Sequence, residues 1–223
     1  MILSIETSTP VCSVAIQNSA GRVFEKRIEG RGVHSERTFL FIRELLERLD
    51  TNVSELDAVL FSNGPGSYTG LRIGASAVKG ILFGRDVPFY TFPTLISFAA
   101  GVEKPGSKPA TIFSVIDARR NHLYVQQIKW SGSGYNADSN PSVRTLEEIE
   151  EDVQDGDILA GTGWERLNLS EKKVQTFGSN IISAKNLILA WNDDSLKKHF
   201  RKEDHATFEP EYLNMAQVNN SSV

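Results

Sequence analysis

The segment Asn63-Gly64-Pro65-Gly66-Ser67-Tyr68-Thr69-Gly70-Leu71-Arg72-Ile73-Gly74 constrains this chain more than any other. It follows the apolar run Ala58-Val59-Leu60-Phe61, a buried strand by pattern, and precedes Ala75 to Phe83, whose apolar and small residues predict a helix. A glycine-rich turn therefore joins a strand to a helix. Gly64 and Gly66 accept backbone angles that a side chain forbids, and Ser67 or Thr69 is placed to cap the first free N–H groups of the helix. Unpaired amides at the positive end of a helix suit an anion. No Gly-Lys-Ser/Thr closes the segment, so a Walker loop is excluded. The glycines at 64, 66 and 70 are spaced one residue too wide for the dinucleotide fingerprint. A tight connection without a ligand stays open beside the anion site.

A chain of 223 residues has room for one or two domains with a sizeable core. Its 40% hydrophobic and 23% charged content is that of an ordinary globular protein. The formal net charge is -4, with the acidic excess after residue 110, around Glu147-Glu148-Ile149-Glu150-Glu151-Asp152. A basic stripe for nucleic acid is missing, so any RNA this protein serves is held by something else. One cysteine, Cys12, excludes an internal disulfide and a thiolate metal cluster. It sits among Val11, Val14 and Ile16, which points to buried packing. The first apolar run ends at Glu6 with no basic residue before it, too short for a signal peptide or a membrane span. A cytoplasmic address is expected.

Along the chain, Met1 to Ile5, Cys12 to Ile16 and Arg22 to Ile28 read as three strands of a meander. Ser35 is a candidate N-cap for a helix from Arg37 to Leu49, in which Phe39, Ile42, Leu46 and Leu49 share one face. Phe41, Leu45 and Leu40 widen that face beyond what one core contact needs. His34 reads as a capping or turn residue. The helix after the glycine segment carries Gly70, Gly74, Ala77, Gly80 and Gly84 at spacings of three and four. Interior glycines cost roughly 1 kcal/mol each in a helix, a cost that close packing against another helix would offset. These two helices predict a dimer interface, although both faces packing on the sheet is the alternative. Val87 to Thr91 reads as a strand, Thr94 to Ala100 as a helix, and Val102 to Pro109 as a link to a second domain. In that domain Ala110 to Ile116, Leu123 to Trp130 and Asp157 to Ala160 read as strands, and Leu146 to Val153 and Lys185 to Trp191 as helices. The tail from Asn219 reads as frayed.

Glu6 and Asp117 each follow an apolar strand at a turn into another strand. A cleft with an acidic turn on each side suits magnesium and phosphates, with Thr7 and Ser8 adding hydroxyl groups. A plain hairpin at Glu6, and an Asp117 paired with Arg119 or Arg120, are the structural alternatives.

Four motifs occur in a telling order: Ile2-Leu3-Ser4-Ile5-Glu6-Thr7-Ser8, His34-Ser35-Glu36, the glycine segment from Gly64 to Gly74, and Asp117-Ala118-Arg119-Arg120. Together they resemble the TsaB (YeaZ) family, the dimerisation subunit of the bacterial tRNA threonylcarbamoyladenosine (t6A) machinery. The resemblance runs from Met1 to around Val125 and thins beyond it. Pro210-Glu211-Tyr212-Leu213 resembles the family's closing Pro-x-Tyr-Leu-Arg, with Asn214 in place of the arginine. The resemblance implies an α/β actin-like ATPase (ASKHA, ribonuclease H-like) fold of two domains, each a mixed sheet flanked by helices. Residues 1–103 would carry the glycine-rich loop and the dimerisation helices, and residues 104–223 a divergent second domain. It also implies a TsaD-type catalytic paralogue and a TsaE-type ATPase as partners. The chain alone would be a homodimer, with tRNA met only through the complex and no membrane. That complex passes threonylcarbamoyl from its adenylate to N6 of adenosine 37. The implied interface comprises Ser35, Thr38, Phe41 and Leu45 on one helix, and Gly70, Arg72, Gly74, Ala77, Val78 and Ile81 on the other. Glu6, Thr7, Ser8 and Asp117 would form a nucleotide site. ATP or ADP with magnesium would sit at the cleft or at a composite interface, not at a catalytic site of this chain's own.

The catalytic paralogue holds a metal through a His-x-x-x-His pair one helical turn apart, after the strand that corresponds to Val87–Thr91. Here Thr91 to Phe98 contains no histidine, and His34, His122, His199 and His205 form no such pair. Ser67 lacks the flanking glycines of a nucleophile elbow, since Pro65 and Thr69 stand there. The expectation is a non-catalytic scaffold. Its rivals are a stand-alone nucleotide-dependent phosphotransferase or ATPase of the same fold, and a dinucleotide enzyme. Asp86 lies too early to serve the latter as a ribose carboxylate.

Overall fold

The computed structural model describes residues 1–213; Asn214 and the tail from Asn219 lie outside them. The chain opens as a meander of β1 (Ile2–Glu6), β2 (Val11–Gln17) and β3 (Val23–Glu29). Helix α1 (His34–Arg48), β4 (Ala58–Ser62), α2 (Tyr68–Leu82), β5 (Phe89–Phe92) and α3 (Thr94–Gly101) follow. The second half runs through β6 (Ala110–Asp117), β7 (His122–Trp130), β8 (Tyr135–Asn136), β9 (Ser142–Thr145) and α4 (Leu146–Asp152). It continues through β10 (Ile158–Gly161), β11 (Gln175–Phe177), α5 (Lys185–Trp191) and α6 (Asp194–Lys197). Finally β12 (Arg201–Glu203) pairs antiparallel with β5, so the chain returns to complete its first sheet.

That sheet has the order β12-β5-β4-β1-β2-β3, and the second has β11-β10-β6-β7-β8 with β9 also on β7. Each mixes parallel and antiparallel pairs, as in β4–β1–β2 and β10–β6–β7. The period of two along each strand decides the layers. Val59 and Phe61 of β4, and Leu3 and Ile5 of β1, join the core under α1 and α2. Leu60 faces the opposite way, into a core shared with Leu95 and Phe98 of α3 and Leu187 of α5. Ile112 and Ile116 of β6 enter that shared core from the other side, while Phe113 and Val115 meet Ile149 of α4. The order through the molecule is therefore α1/α2, first sheet, α3/α5, second sheet, α4. These two mixed sheets with flanking helices are the two-lobed α/β actin-like fold.

Two helix starts differ most from the sequence reading. Helix α2 begins at Tyr68, not Ala75, and Ser67 is its N-cap, accepting from the Gly70 amide at 3.2 Å. The glycine turn proper is thus only Asn63 to Gly66. Ser35 is not a cap: α1 starts one residue before it, behind Val33, with no side-chain cap. The role falls to tertiary contacts of His34, whose Nε2 donates to the carbonyls of Thr9 at 2.8 Å and Val11 at 3.3 Å.

Candidate functional site: an interlobe cleft and an outer helical face

The two sheets leave a cleft of about 1070 Å³ between them. Its first-lobe wall is the β1–β2 turn at Ser8 to Pro10, the Gly30–Gly32 loop, and Gly66 to Gly70. Its second-lobe wall is Ile116 to Arg119, Tyr124, and the Thr162–Arg166 turn. The glycine turn is pinned at both ends. The Asn63 amide donates to Phe92 O at 2.9 Å, Gly64 and Thr94 exchange bonds at 2.9 Å, and the Ser67 amide donates to Ser8 O at 2.6 Å. Gly64 has φ 111°, a conformation open to glycine. A side chain on Gly66 would strike Ser8, so the turn lies directly on the β1–β2 turn.

Of the four residues expected at a nucleotide site, Ser8 and Asp117 line this cleft and Glu6 and Thr7 do not. Both are fully buried. Glu6 is the last residue of β1, paired with Ser13, and its Oε1 accepts from the Ser8 amide at 2.6 Å and the Ser8 hydroxyl at 2.5 Å. Burial pushes its carboxyl above the usual range, against the bonds from the Ser62 and Ser8 side chains and the Ser8 amide. Asp117 ends β6, and its Oδ1 accepts from Arg166 at 2.6 Å and the Arg119 amide at 2.8 Å. Glu6 is thus withdrawn from the cleft, whereas Asp117 stays about half exposed in its wall, with both bonds on one carboxylate oxygen. Of the two acidic turns expected to face each other, only the Asp117 turn presents its carboxylate at the cleft surface. Phosphate is a better match for the remaining wall, which offers Arg31, Arg119, Ser67 and Thr69 beside the N-terminus of α2. Among the described residues no group of three or more His, Cys, Asp or Glu side chains is arranged to hold a metal ion.

Sequence reasoning missed Arg31, Tyr124 and Arg166. Their positions follow from the return of the second sheet over the first, and only the Gly161-Thr162-Gly163 run after a buried strand hinted at the last of these walls.

The proposed interface residues divide. Thr38, Phe41, Leu45, Ala77 and Val78 are buried within the chain itself. Thr38 donates to His34 O at 2.7 Å and touches the Cys12 sulfur at 3.4 Å. Gly70 and Gly74 press on Thr7, and Gly74 also on the Phe61 ring. At Gly70 and Gly74 the small stripe therefore admits the first lobe's own β1–β2 turn and β4, while Gly80 lies under Phe39 of α1. Ser35 and Arg72 are exposed and Ile81 is half-buried. The outward face of the same two helices is instead built from Phe39, Tyr68, Arg72, Ser76, Gly80 and Phe83. Phe39 is 48% exposed, Tyr68 56% and Phe83 83%. The Phe39 ring lies over Gly80, whose added Cβ would meet it at 3.5 Å.

The family model for tRNA N6-adenosine threonylcarbamoyltransferase, TsaD, matches residues 31–216. The tRNA threonylcarbamoyladenosine biosynthesis protein TsaB of Escherichia coli K12 is 28% identical over 168 residues, 74% of this chain and 72% of that protein. TsaB of Haemophilus influenzae is 29% identical over 191 residues, 81% of this chain and 79% of its own. The solved structure of YeaZ from Pseudomonas aeruginosa superposes with a TM-score of 0.77 at 26% identity, covering 95% of this chain and 99% of that one. The chain belongs to the TsaD family, in its TsaB/YeaZ branch. The TsaD family match spans both lobes and includes the outer face of α1 and α2 and the cleft walls from Arg31 onward, but not the β1–β2 turn. No helix among the described residues is long and apolar enough to cross a membrane.

Proposed function

We propose that this chain is a non-catalytic partner subunit in the threonylcarbamoylation of tRNA adenosine 37, and that it activates a TsaD-type catalytic paralogue docked on the outer face of α1 and α2. The observation that carries this reading is the pair of solvent-facing phenylalanines, Phe39 and Phe83, on neighbouring helices of one face. The Phe39 ring lies over Gly80, three residues before Phe83, and exposed apolar side chains grouped on one face fit an association site. The names of the E. coli and H. influenzae relatives support the pathway, and the family match supports a like-folded partner. In the absence of the paralogue the same face pairs two copies of the chain. A TsaE-type ATPase joins the assembled pair, and tRNA is met through the complex, in keeping with the net acidic charge. ATP or ADP with magnesium belongs to a composite surface, because Asp117 is engaged by Arg166 and Glu6 is withdrawn behind Ser8.

The test mixes the purified chain with the paralogue from the same source and follows both by size-exclusion chromatography with light scattering. Co-elution as a stoichiometric complex, with no ATP turnover by the isolated chain, is the expected result. Magnesium-dependent ATP turnover by the chain alone, without association, would overturn it in favour of a stand-alone ATPase or phosphotransferase.

A further inference from the structure

From Phe208 to Leu213 the chain lies against the first lobe and the cleft. Phe208 inserts into the first-lobe core, edge-on to Phe61 at 5.9 Å and to Phe89 at 5.1 Å. Three residues on, the Glu211 amide donates to Asn63 O at 3.1 Å, and the Glu211 carboxylate pairs with Arg201 at 3.0 Å. The Glu211 carbonyl lies so close over the glycine turn that a Cβ on Gly64 would come within 2.5 Å of it. Tyr212 then stacks on Tyr68, the first residue of α2, at 4.9 Å between ring centroids. The segment reaches the other lobe at Leu213, whose carbonyl accepts from the Tyr124 hydroxyl at 3.3 Å. Tyr124 belongs to β7 and lines the cleft.

The attachment is graded. One end is held by a buried aromatic side chain and a backbone hydrogen bond, and the far end by one stacked ring and one hydrogen bond. We infer that Phe208–Leu213 is a strap that latches the second lobe to the glycine turn and limits how far the cleft opens. The weak end releases first, because widening the cleft draws Tyr124 away from Leu213 while Phe208 stays in its core. The strap meets the outer face of α1 and α2 at Tyr68.

Spin labels at Glu47→Cys on α1 and Glu151→Cys on α4, both exposed positions, report the lobe-to-lobe distance in the full-length chain; Cys12 is buried and stays unlabelled. Tyr124→Phe removes the hydroxyl and keeps the ring. It is expected to raise the population at longer distance about fivefold, the change that one hydrogen bond of ordinary net strength sustains. Tyr212→Ala is expected to do the same from the strap side. The double variant should exceed the larger single effect only slightly, because both act through one tether. Unchanged distance distributions in both single variants, or fully additive effects, would overturn the strap. So would faster amide exchange at 209–213 with the lobe distance unmoved. Should Tyr212→Ala fail to fold, Tyr124→Phe decides alone.

Discussion

Glu6 shows how a carboxylate can belong to a cleft's architecture without belonging to its surface. Because burial raises its pKa, the folded state holds the proton over a range where the unfolded chain has already lost it. Stability contributed in this way is full below the ordinary value of 4.5 and falls as pH rises toward the raised folded value. Glu6→Gln keeps an acceptor for the Ser8 amide and removes the ionisable group. The variant is therefore expected to melt higher than the wild type at pH 8, with the difference closing as pH approaches 4.5. Thermal unfolding of the pair across that range checks this, and a wild type that stays the more stable of the two at pH 8 refutes it. The sequence marked Glu6 as chemically interesting, since an acid ending an apolar strand stands out. It did not show that Ser8 would close over the carboxyl, because a two-residue offset has the same spacing in an open turn and a closed one.

At the level of elements, α2 carries two faces that the periodic pattern could not tell apart. Glycines at three and four residues signal that something comes close, and the partner is a matter of which way the helix is turned. Here the close neighbours of Gly70 and Gly74 are Thr7 and Phe61. Bulky charged residues at Gly74 or Val78 would thus break the first-lobe core rather than test an interface. Phe83, 83% exposed at the helix's end, is the cleaner probe. Phe83→Asp is expected to leave the fold within about 0.5 kcal/mol of wild type, as for surface changes away from packing. It should weaken partner or self association at least tenfold by analytical ultracentrifugation; unimpaired association would remove this end of α2 from the docking face. The strands β1, β2, β4, β6 and β7 were legible because buried strands repeat apolar residues. The three residues of β12, Arg201-Lys202-Glu203, carry no such signal. They form a charged edge strand, held by pairing with β5 and by the Arg201–Glu211 ion pair.

For the whole molecule, the sequence reading placed a division after residue 103, and the described chain threads back across it. The β12 edge, Phe208 and α5 all come from the second half, yet β12 pairs in the first sheet, Phe208 fills its outer core and α5 packs on β1, β2 and β4. A fragment of residues 1–103 is accordingly expected to show no cooperative thermal transition by circular dichroism, whereas a sharp, reversible transition would show that the first lobe folds alone. Such long returns leave no trace in local periodicity, which is why the layers were less readable than the strands within them. One connection has a broader consequence. His34 opens α1 and grips the carbonyls of Thr9 and Val11. The same short turn forms a wall of the crevice and the root of the outward helix. A guest that nudges this turn therefore tugs the helix behind it, and a neighbour leaning on the helix reshapes the guest's berth in return.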